Sequence, residues 1–301
     1  MLYQDGPRGS LKVGYPDLGF PILCREVNLA GSPDGACLTH WHEDLTLIQS
    51  LSRGLTVHVH EDDVELNPGD ILFINTNQLT SLFSSDADNS FRLLNFHPSI
   101  LQQVVTDCSL PFRVLQDESY QYKLYPSASP ENVRLAGYLE ALERQSRLGK
   151  DCYRLEMMSL VFQIMLTVCG SYNGPGEAMA PRTRKDVEAV RNMLSCVAVH
   201  FADKLSLSTV ADAGNVSRSK CCKLFAQYVG RSPMDYINCY RLDVAAWRLS
   251  NTESSIQSIA AGCGFPEQSY FTRLFKARYG VTPGHCRKQL GLPCPASDET
   301  R

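Results

Sequence analysis

Short alternation of apolar and polar residues dominates the first third of the chain, from about Phe20 to Phe96. The stretch CLTHWHEDLTLIQSLSRGLTVHVHEDDVELNPGDILFINTNQLTSLF contains several runs with the two-residue period of strands. Groups of turn-forming residues separate the runs at Arg53-Gly54, Glu61-Asp62-Asp63 and Asn67-Pro68-Gly69-Asp70. The pattern predicts short antiparallel strands that form a small barrel.

The period changes to that of helices at 131–145 and 151–169, on either side of Leu148-Gly149-Lys150. The first helix has Leu135, Leu139 and Leu142 on one side. The second is apolar around much of its circumference, at Met157, Met158, Val161, Phe162, Met165 and Leu166. A helix of this kind must pack on the barrel or on a partner subunit, and the sequence leaves both alternatives open.

Gly, Pro, Asn and Ser cluster in SYNGPGEAMAPR, residues 171–182, which is typical of a linker. An amphipathic helix follows at 185–201, with apolar residues at Val187, Val190, Leu194, Val197 and Phe201. We therefore expect a barrel at 1–130, a helical pair at 131–172, a linker at 173–182 and a second domain at 183–290.

The second domain contains an internal repeat, LSLSTVADAGNVSRSKCCKLFAQYVGRSP at 205–233 and SIQSIAAGCGFPEQSYFTRLFKARYGVTP at 255–283. The pairs Phe225/Phe275, Gly230/Gly280 and Pro233/Pro283 are 50 residues apart. The pairs Leu207/Ile256, Val210/Ile259, Ala211/Ala260 and Val216/Phe265 are 49 apart, so the second copy has one extra residue in its turn. One supersecondary unit is present twice, at about 207–230 and 256–280.

Each copy is arranged as a helix-turn-helix, with first helices predicted at about 208–214 and 256–262. Ala211 and Ala260 are small enough to let a second helix cross closely. Asn215 and Gly262 or Gly264 can adopt the left-handed turn conformation. Ser217 can cap one second helix, and Glu267 suits the positive end of the other.

The two faces of each second helix differ in chemistry. The inner faces are apolar and predicted to be core, at Cys221, Leu224, Phe225 and Tyr228 and at Phe271, Leu274, Phe275 and Tyr279. The outer faces are basic and rich in hydrogen-bonding groups, at Arg218, Ser219, Lys220, Cys222 and Lys223 and at Gln268, Ser269, Thr272, Arg273 and Lys276. Such a face suits a helix that enters the major groove of DNA.

A single helix is predicted between the two copies, from Pro233 to Ser250. Its apolar residues recur at helical steps, at Tyr236, Ile237, Tyr240, Val244, Ala245 and Leu249. A helix of this size is about 27 Å long at 1.5 Å per residue. It can therefore hold two recognition helices near the ~34 Å that separates successive major grooves on one face of DNA.

The charge is unevenly distributed along the chain. Residues 1–181 contain 12 Lys+Arg against 22 Asp+Glu, a net charge of −10, whereas residues 182–290 contain 16 against 8, a net charge of +8. The remaining residues bring the chain to −3. A basic module beside an acidic one indicates a polyanion partner, although a solvated Lys/Arg surface gives the same count.

The 301 residues favour two domains, and 44% hydrophobic composition supplies a core. No apolar run of about 18 residues is present, and MLYQDGPRGS lacks the features of a signal peptide, so we expect a cytoplasmic protein without membrane contact. The twelve cysteines form no metal-type spacing, and we expect them to be reduced and mostly buried.

Residues 185–288 resemble the DNA-binding domain of AraC/XylS-type transcriptional regulators. The resemblance rests on Arg241-Leu242, Ala245, Ser255-Ile256, Ile259-Ala260, Gly264-Phe265, Ser269-Tyr270-Phe271, Arg273, Phe275-Lys276, Tyr279-Gly280, Thr282-Pro283 and Arg287. The chain departs from the family at Cys286, Arg248 and the pair Cys221-Cys222. These departures leave the fold intact but affect the sequence preference expected at the first half-site.

The resemblance implies base contacts by Ser219, Cys222 and Lys223 in the first copy and by Gln268, Ser269, Thr272 and Arg273 in the second. With Lys220 and Lys276 these form the predicted DNA-binding set. It also implies a homodimer through the helical pair, a small-molecule effector and recruitment of RNA polymerase.

The acidic half resembles the cupin-like sensor barrel of the same family, through HxH at 40–42, Gly54 and PGDILFIN at 68–75. The overall expectation is thus an α+β, two-domain protein with an N-terminal antiparallel β-barrel and a C-terminal all-α double helix-turn-helix. His40, Trp41, His42 and Glu43 are the candidate ligand-binding residues.

A metal site near His40 and His42 is conceivable, with Cys37, His58 and His60 nearby in sequence. Thr46 and Thr80 stand where metal-binding cupins place a Glu and a third His, so we expect no metal and no cofactor. The alternative function is a metal-dependent cupin enzyme, or a repair protein that uses the helical module for targeting. Neither Cys221-Cys222 nor Cys294 offers the setting of a reactive repair cysteine, and we expect no enzyme activity.

Overall fold

The computed structural model describes residues 3–5, 11–13, 15, 20–29, 36–86, 89–102, 109–148, 152–176 and 179–289. Its N-terminal half is rich in antiparallel sheet and its C-terminal half is helical. The predicted α+β, two-domain fold class is confirmed. Cys294 and part of the turn around Gly149 lie outside the described residues.

The N-terminal half contains a small sheet of two strands and two larger sheets, all antiparallel. The five-stranded sheet has the order β11-β8-β5-β10-β3 and the four-stranded sheet the order β4-β9-β6-β7. The strands are β1 (Tyr3–Asp5), β2 (Leu11–Val13), β3 (Ile22–Asn28), β4 (Ala36–His40), β5 (Leu45–Ser50), β6 (Leu55–Val59), β7 (Asp62–Leu66), β8 (Ile71–Ile74), β9 (Thr80–Ser84), β10 (Ser90–Phe96) and β11 (Tyr122–Tyr125).

The two larger sheets enclose an apolar core that includes Ile48, Leu72 and Leu93 from one sheet and Val57 and Leu82 from the other. Each described strand pairs within its own sheet, so the predicted antiparallel barrel is not closed among the described residues and has the form of an open sandwich. The register of the edge strand β4 is irregular between Cys37 and His40, and an interrupted edge offers no continuous ladder to a further strand.

The turns between these strands agree with the sequence at two of three predicted places. Gly54 and Gly69 have φ values of 80° and 89°, in the left-handed region that glycine adopts without strain. The third turn was predicted too far along the chain. It lies at His60 and Glu61, whereas the predicted turn residues Asp62 and Asp63 already belong to β7. A tight hairpin needs only two loop residues, so a run of three acidic residues overstates the turn.

Helices cover the outer face of the five-stranded sheet. They are α1 (Ser99–Gln102), α2 (Ser109–Gln116), α3 (Pro130–Leu148) and α4 (Tyr153–Gly170). Leu139 of α3 and Val161 of α4 share a core with Leu47 and Phe73 of the sheet. The second helix of the pair therefore packs on the sandwich, which is one of the two alternatives that the sequence left open.

The C-terminal half begins at Pro181, at the first turn of a helix, where proline is favoured because no N–H is needed. The helix starts four residues before the predicted position. The helices are α5 (Pro181–His200), α6 (Leu207–Ala213), α7 (Arg218–Tyr228), α8 (Pro233–Asn251), α9 (Ile256–Gly262), α10 (Gln268–Tyr279) and α11 (Pro283–Gln289). They share one core, which also receives Leu38, Trp41 and Leu79 from the N-terminal sandwich.

The ten cysteines within the described residues are all free thiols. Cys24, Cys169, Cys221 and Cys263 are buried, whereas Cys152 and Cys222 are exposed and the other four are half-buried. Among these ten, the prediction that most cysteines are buried is only partly right, and their reduced state stays a prediction. No described helix has the length and apolar character needed to cross a membrane.

Candidate DNA-binding surface and sensor site

The first helix-turn-helix consists of α6 and α7, and its ends are set by short polar side chains. The hydroxyl of Ser206 accepts a hydrogen bond from Thr209 N, and Ser217 accepts one from Lys220 N, as the sequence predicts for Ser217. Asn215 has a φ of 51°, which confirms it as the left-handed residue of the turn. These caps fix where α7 begins and therefore which side chains its first turns present.

The second helix-turn-helix consists of α9 and α10, and its turn depends on Gly264, with φ 79°. A Cβ there would lie 2.8 Å from the carbonyl oxygens of Phe201 and Ala202. Gly262 is the last residue of α9 and does not take the left-handed role that was also open to it. Glu267 occupies the cap position of α10 without a side-chain capping bond.

Buried residues fix each recognition helix on its support. Ala211 and Ala260 are buried where the paired helices cross, as predicted from their size. Phe225 of α7 and Phe271 and Phe275 of α10 are fully buried, which confirms these predicted core aromatics. Both recognition helices are thus anchored by one face and free on the other.

The free faces carry the predicted DNA-binding residues. Ser219, Cys222, Lys223, Gln268, Ser269, Arg273 and Lys276 are exposed, whereas Lys220 and Thr272 are half-buried. The guanidinium carbon of Arg273 lies 5.4 Å from the centre of the Tyr270 ring, a cation–π contact that orients the side chain. Lys220 Nζ lies 2.6 Å from Asp186 Oδ1 of α5, so its charge is already paired within the domain.

The helix α8 connects the two units without a break over 19 residues, or about 28 Å. Asp243 in its middle binds Arg278 of α10 through Nε at 3.0 Å and Nη2 at 3.1 Å. Tyr279 also donates to Asp243, at 2.7 Å. Arg278 is nearly buried, and the pair fixes the end of α10 on α8.

A second buried arginine, which lies on α8, holds the end of α5. Arg241 donates from Nε to the carbonyl oxygen of Phe201 at 2.7 Å and from Nη2 to that of Asp203 at 2.8 Å. Carbonyl groups at a helix end lack partners within the helix, so Arg241 satisfies groups that burial would otherwise leave unpaired. Arg287 of α11 similarly donates to Ser254 O at 2.6 Å, ahead of α9.

The four predicted ligand-binding residues point to different parts of the protein. His40 and His42 are buried with ring centres 5.7 Å apart. Burial lowers the pKa of His40 to about 4, while burial and the proximity of His40 lower the pKa of His42 to about 3. Glu43 lies at the surface, 3.7 Å from His97 Nε2.

Trp41 contacts the C-terminal half. Its Nε1 lies 3.3 Å from both the carbonyl oxygen of Arg191 and the hydroxyl of Ser195, on α5. Its ring also receives the guanidinium of Arg191, at 5.9 Å from the ring centre. Trp41 follows His40, the last residue of β4, and its side chain packs against the C-terminal core.

The positions where a metal-binding cupin has further ligands are occupied by threonines. Thr46 accepts a hydrogen bond from Asn95 Nδ2 at 2.8 Å, and Thr80 pairs with His40 across β9 and β4. Within the described residues, no group of three His, Cys, Asp or Glu side chains is placed to hold a metal ion. His58 instead contacts Asp63, at 2.6 Å.

Several polar residues of the structure were missed by the sequence reasoning. Asn95 is fully buried in the sandwich, and its Oδ1 has no hydrogen-bond partner among the described residues. Tyr236 was assigned to the core, yet its hydroxyl reaches across to Thr39 of the N-terminal half. A period-two pattern shows that Asn95 interrupts an apolar strand, but nothing in the sequence indicates the Tyr236 contact.

An open sandwich followed by two basic helix-turn-helix units on one long helix defines a DNA-binding transcriptional regulator with a sensor domain. Comparison with known proteins agrees, because residues 27–165 match the AraC-like ligand binding domain and residues 210–289 match a helix-turn-helix domain. Together these matches span more than two thirds of the chain. The chain belongs to the AraC/XylS family of transcriptional regulators.

Two of the similar proteins are also regulators by name. The HTH-type transcriptional regulator YdeC of Bacillus subtilis is 22% identical over 271 residues, covering 87% of this chain and 90% of YdeC. The HTH-type transcriptional activator RhaS of Mannheimia succiniciproducens is 23% identical, covering 83% of this chain and 88% of RhaS. The structure of ToxT from Vibrio cholerae covers 90% of this chain and 99% of ToxT, with 16% identity and a TM-score of 0.49.

Proposed function

We propose that this regulator is a ligand-responsive activator that works as a homodimer in the cytoplasm and recruits RNA polymerase. The observation that carries the DNA-binding part is the pair of exposed, basic recognition faces at the two ends of α8. The relative RhaS, an activator by name, supports the direction of regulation.

The proposed division of the chain is a sensor at 1–130, a helical pair at 131–172, a linker at 173–182 and a DNA-binding domain at 183–290. It is supported by the end of α4 at Gly170 and the start of α5 at Pro181. The proposed DNA contacts are Ser219, Lys220, Cys222, Lys223, Gln268, Ser269, Thr272, Arg273 and Lys276. The effector is proposed to bind the sandwich near His40 and His42, with Trp41 and Glu43 at its margin.

The proposed dimer interface is the outer surface of α3 and α4. Leu155 and Leu166 of α4 are 70% and 66% exposed, although α4 is otherwise packed on the sandwich. They are 11 residues apart, close to three helical turns, and so lie on one side of the helix. Two large exposed aliphatic side chains on one face favour contact with a second subunit.

A metal-dependent cupin enzyme is the alternative function. Neutral, buried His40 and His42 are suitable nitrogen ligands, but Thr46 and Thr80 supply no carboxylate or imidazole beside them. Metal analysis of the purified full chain separates the two functions. A stoichiometric transition metal would support the enzyme, whereas a metal-free protein that binds DNA supports the sensor.

The experiment that tests the proposed function is selection of duplexes by the full chain from a randomised pool. We expect one enriched sequence with two contacted segments, and an affinity that falls steeply with salt because Lys and Arg contacts release counterions. A chain that enriches no duplex at low salt would contradict the proposal. Repetition with fragments of the source genome would identify neighbouring genes and thus the class of effector.

A further inference from the structure

Beside the apolar contacts of Leu38 and Leu79, the described residues of the four-stranded sheet and its turns make polar contacts with the first helix-turn-helix and its supports at three places. The first is Trp41, which contacts α5 through Arg191 and Ser195. The second is the carbonyl oxygen of Thr39 in β4, which accepts a buried hydrogen bond of 2.8 Å from Tyr236 on α8. Both contacts hold scaffold helices and leave the recognition face free.

The third contact involves the recognition helix itself. Glu61, at the turn between β6 and β7, accepts a hydrogen bond of 2.6 Å from Gln227 Nε2 near the end of α7. The pKa of the Tyr228 hydroxyl is raised, first by burial and then by a hydrogen bond with the same Glu61. Two neighbouring residues of α7 are therefore held by one carboxylate of the sensor.

Gln227 is an exposed residue on the same side of α7 as the proposed DNA contact Lys223. It lies four residues after Lys223, so both side chains project from the same side of α7, one turn apart. Both are exposed. The hairpin tip thus covers the surface of α7 one turn beyond Lys223.

The hairpin tip is also strongly acidic. Glu61 is followed by Asp62 and Asp63, and all three are exposed. The DNA backbone on either side of an inserted helix is a line of negative charge. The Glu61 carboxylate at the end of α7 opposes phosphates at that place, and like charges a few ångströms apart repel.

The same interface contains two buried polar atoms that lack partners among the described residues. They are Nδ1 of His60, beside Glu61, and Nε of Arg191, beside Trp41. A buried polar atom without a hydrogen bond weakens the contact that buries it. The closed arrangement therefore gains less free energy from these two groups than it would if both were hydrogen-bonded.

We propose that the acidic β6–β7 hairpin of the sensor restrains the first recognition helix, and that full DNA engagement requires its release from Gln227. The inference rests on the proposed DNA binding by α7. Effector binding next to β4 can then act on DNA affinity through the adjacent Thr39 and Trp41 contacts, because a ligand that favours the released arrangement shifts the population towards it.

The test uses the full chain and the duplex that the wild-type protein enriches from a randomised pool. We expect Glu61→Ala to tighten binding about three- to tenfold, the effect of losing one exposed, charged hydrogen bond and the repulsion beside it. Glu65→Ala is the matched control, because Glu65 is an exposed carboxylate of the same hairpin, on β7. We expect it to change binding less than twofold, since it removes the same charge without a contact on α7.

Two results would overturn the inference. One is equal tightening by Glu61→Ala and Glu65→Ala, which would make the effect one of overall charge. The other is weaker binding by Glu61→Ala, which would make the hairpin a support for α7. If the wild-type chain enriches no duplex, the proposed DNA-binding function fails, and that result is distinct from both.

A spectroscopic measurement tests whether the Trp41 contact opens together with the hairpin. The chain has two tryptophans, Trp41 and the exposed Trp247, so Trp247→Phe leaves Trp41 as the single reporter at the interface. We expect the emission of Trp41 to shift to longer wavelength when the duplex is added, because the indole leaves α5 for water. An emission spectrum that is the same with and without bound DNA would contradict the proposed transmission through Trp41.

Discussion

Lys220 of the first recognition helix forms an ion pair with Asp186 of α5, with 2.6 Å between Nζ and Oδ1. Lys223, one turn further along the same helix, is exposed. The two lysines therefore differ in the charge that they can offer to a phosphate. We expect Lys223→Ala to reduce the salt dependence of DNA binding by about one counterion and Lys220→Ala to reduce it less.

The measurement for this pair is the slope of log affinity against log salt for the enriched duplex. Asp186→Asn provides the reciprocal control, since it frees Lys220 and should steepen the slope. Equal slopes for the two alanine variants would show that the ion pair opens fully on DNA and that Lys220 contributes as much to phosphate contact as Lys223.

Arg273 and Lys276 lie on the same exposed face of α10 but are expected to contribute differently. Arg273 can bind a guanine through two hydrogen bonds, so Arg273→Ala should relax base preference at one position, by about 1 to 3 kcal/mol. Lys276→Ala should weaken binding to all sequences alike. Binding of single-base variants of the duplex measures both effects, and uniform weakening by Arg273→Ala would make it a phosphate contact.

The ion pair between Asp243 and Arg278 should stabilise the C-terminal half. Arg278 is almost buried, so Asp243→Ala leaves a cation without its partner, and we expect the free energy of unfolding to fall by about 3 kcal/mol. Glu253→Ala, at an exposed carboxylate of the same half, should change stability by less than about 0.5 kcal/mol. Urea unfolding of the full chain measures both variants, and equal midpoints would rule out a structural role for the pair.

Stability should decrease in mild acid because His40 and His42 are buried. Their pKa values are about 4 and about 3 in the folded chain and about 6.5 when unfolded. Between pH 6.5 and 4 the unfolded chain binds more protons, so the free energy of unfolding falls as the pH falls, by at most about 1.4 kcal/mol per pH unit for each histidine. Above pH 6.5 both histidines are neutral in the folded and the unfolded chain, so they no longer make the free energy of unfolding depend on pH.

Urea unfolding at several pH values checks this expectation. The double variant His40→Gln/His42→Gln should flatten the pH dependence in that window, whatever its stability at neutral pH. His285→Gln, at an exposed histidine of α11, should leave the slope unchanged. A slope that survives the double variant would have to arise from other groups.

The proposed dimer predicts that Leu166→Glu converts the protein to a monomer, because it places a charge within an apolar contact. Val199→Glu is the matched control, since Val199 is an exposed aliphatic residue on α5 of the other half. Analytical ultracentrifugation of the full chain gives the oligomeric state. A monomeric wild-type chain, or a dimeric Leu166→Glu variant, would place the contact elsewhere.

The DNA-binding half was predictable in detail because its folding signals are local. Ser217, Asn215 and Gly264 determine a helix cap and two turns through residues that are near them in sequence. The internal repeat shows the same pattern of helix and turn twice. The start of α5 was missed by four residues, since a linker composition continues up to the proline that begins the helix. Exposure of Lys223 and Arg273 followed directly from helical periodicity.

The sandwich was less predictable because its decisive features are not local. The strands between Ile22 and Phe96 follow from alternation, but closure of a barrel depends on how edge strands meet, and the irregularity of β4 is not visible in the sequence. The direction of Trp41 was also missed, since its partners Arg191 and Ser195 are more than 100 residues away. Contacts between the halves depend on shape and charge that no single segment contains.

The unbroken helix α8 has a consequence for the arrangement of any operator. Its ends are fixed by buried side chains such as Ile237 and Leu249, so the separation of the two reading units cannot stretch. DNA rotates once in about 10.5 base pairs, and five extra base pairs between the contacted segments would turn the second segment to the far side of the duplex. Ten extra base pairs would restore the rotational phase but exceed the reach of one chain, so natural binding sites must keep this interval constant.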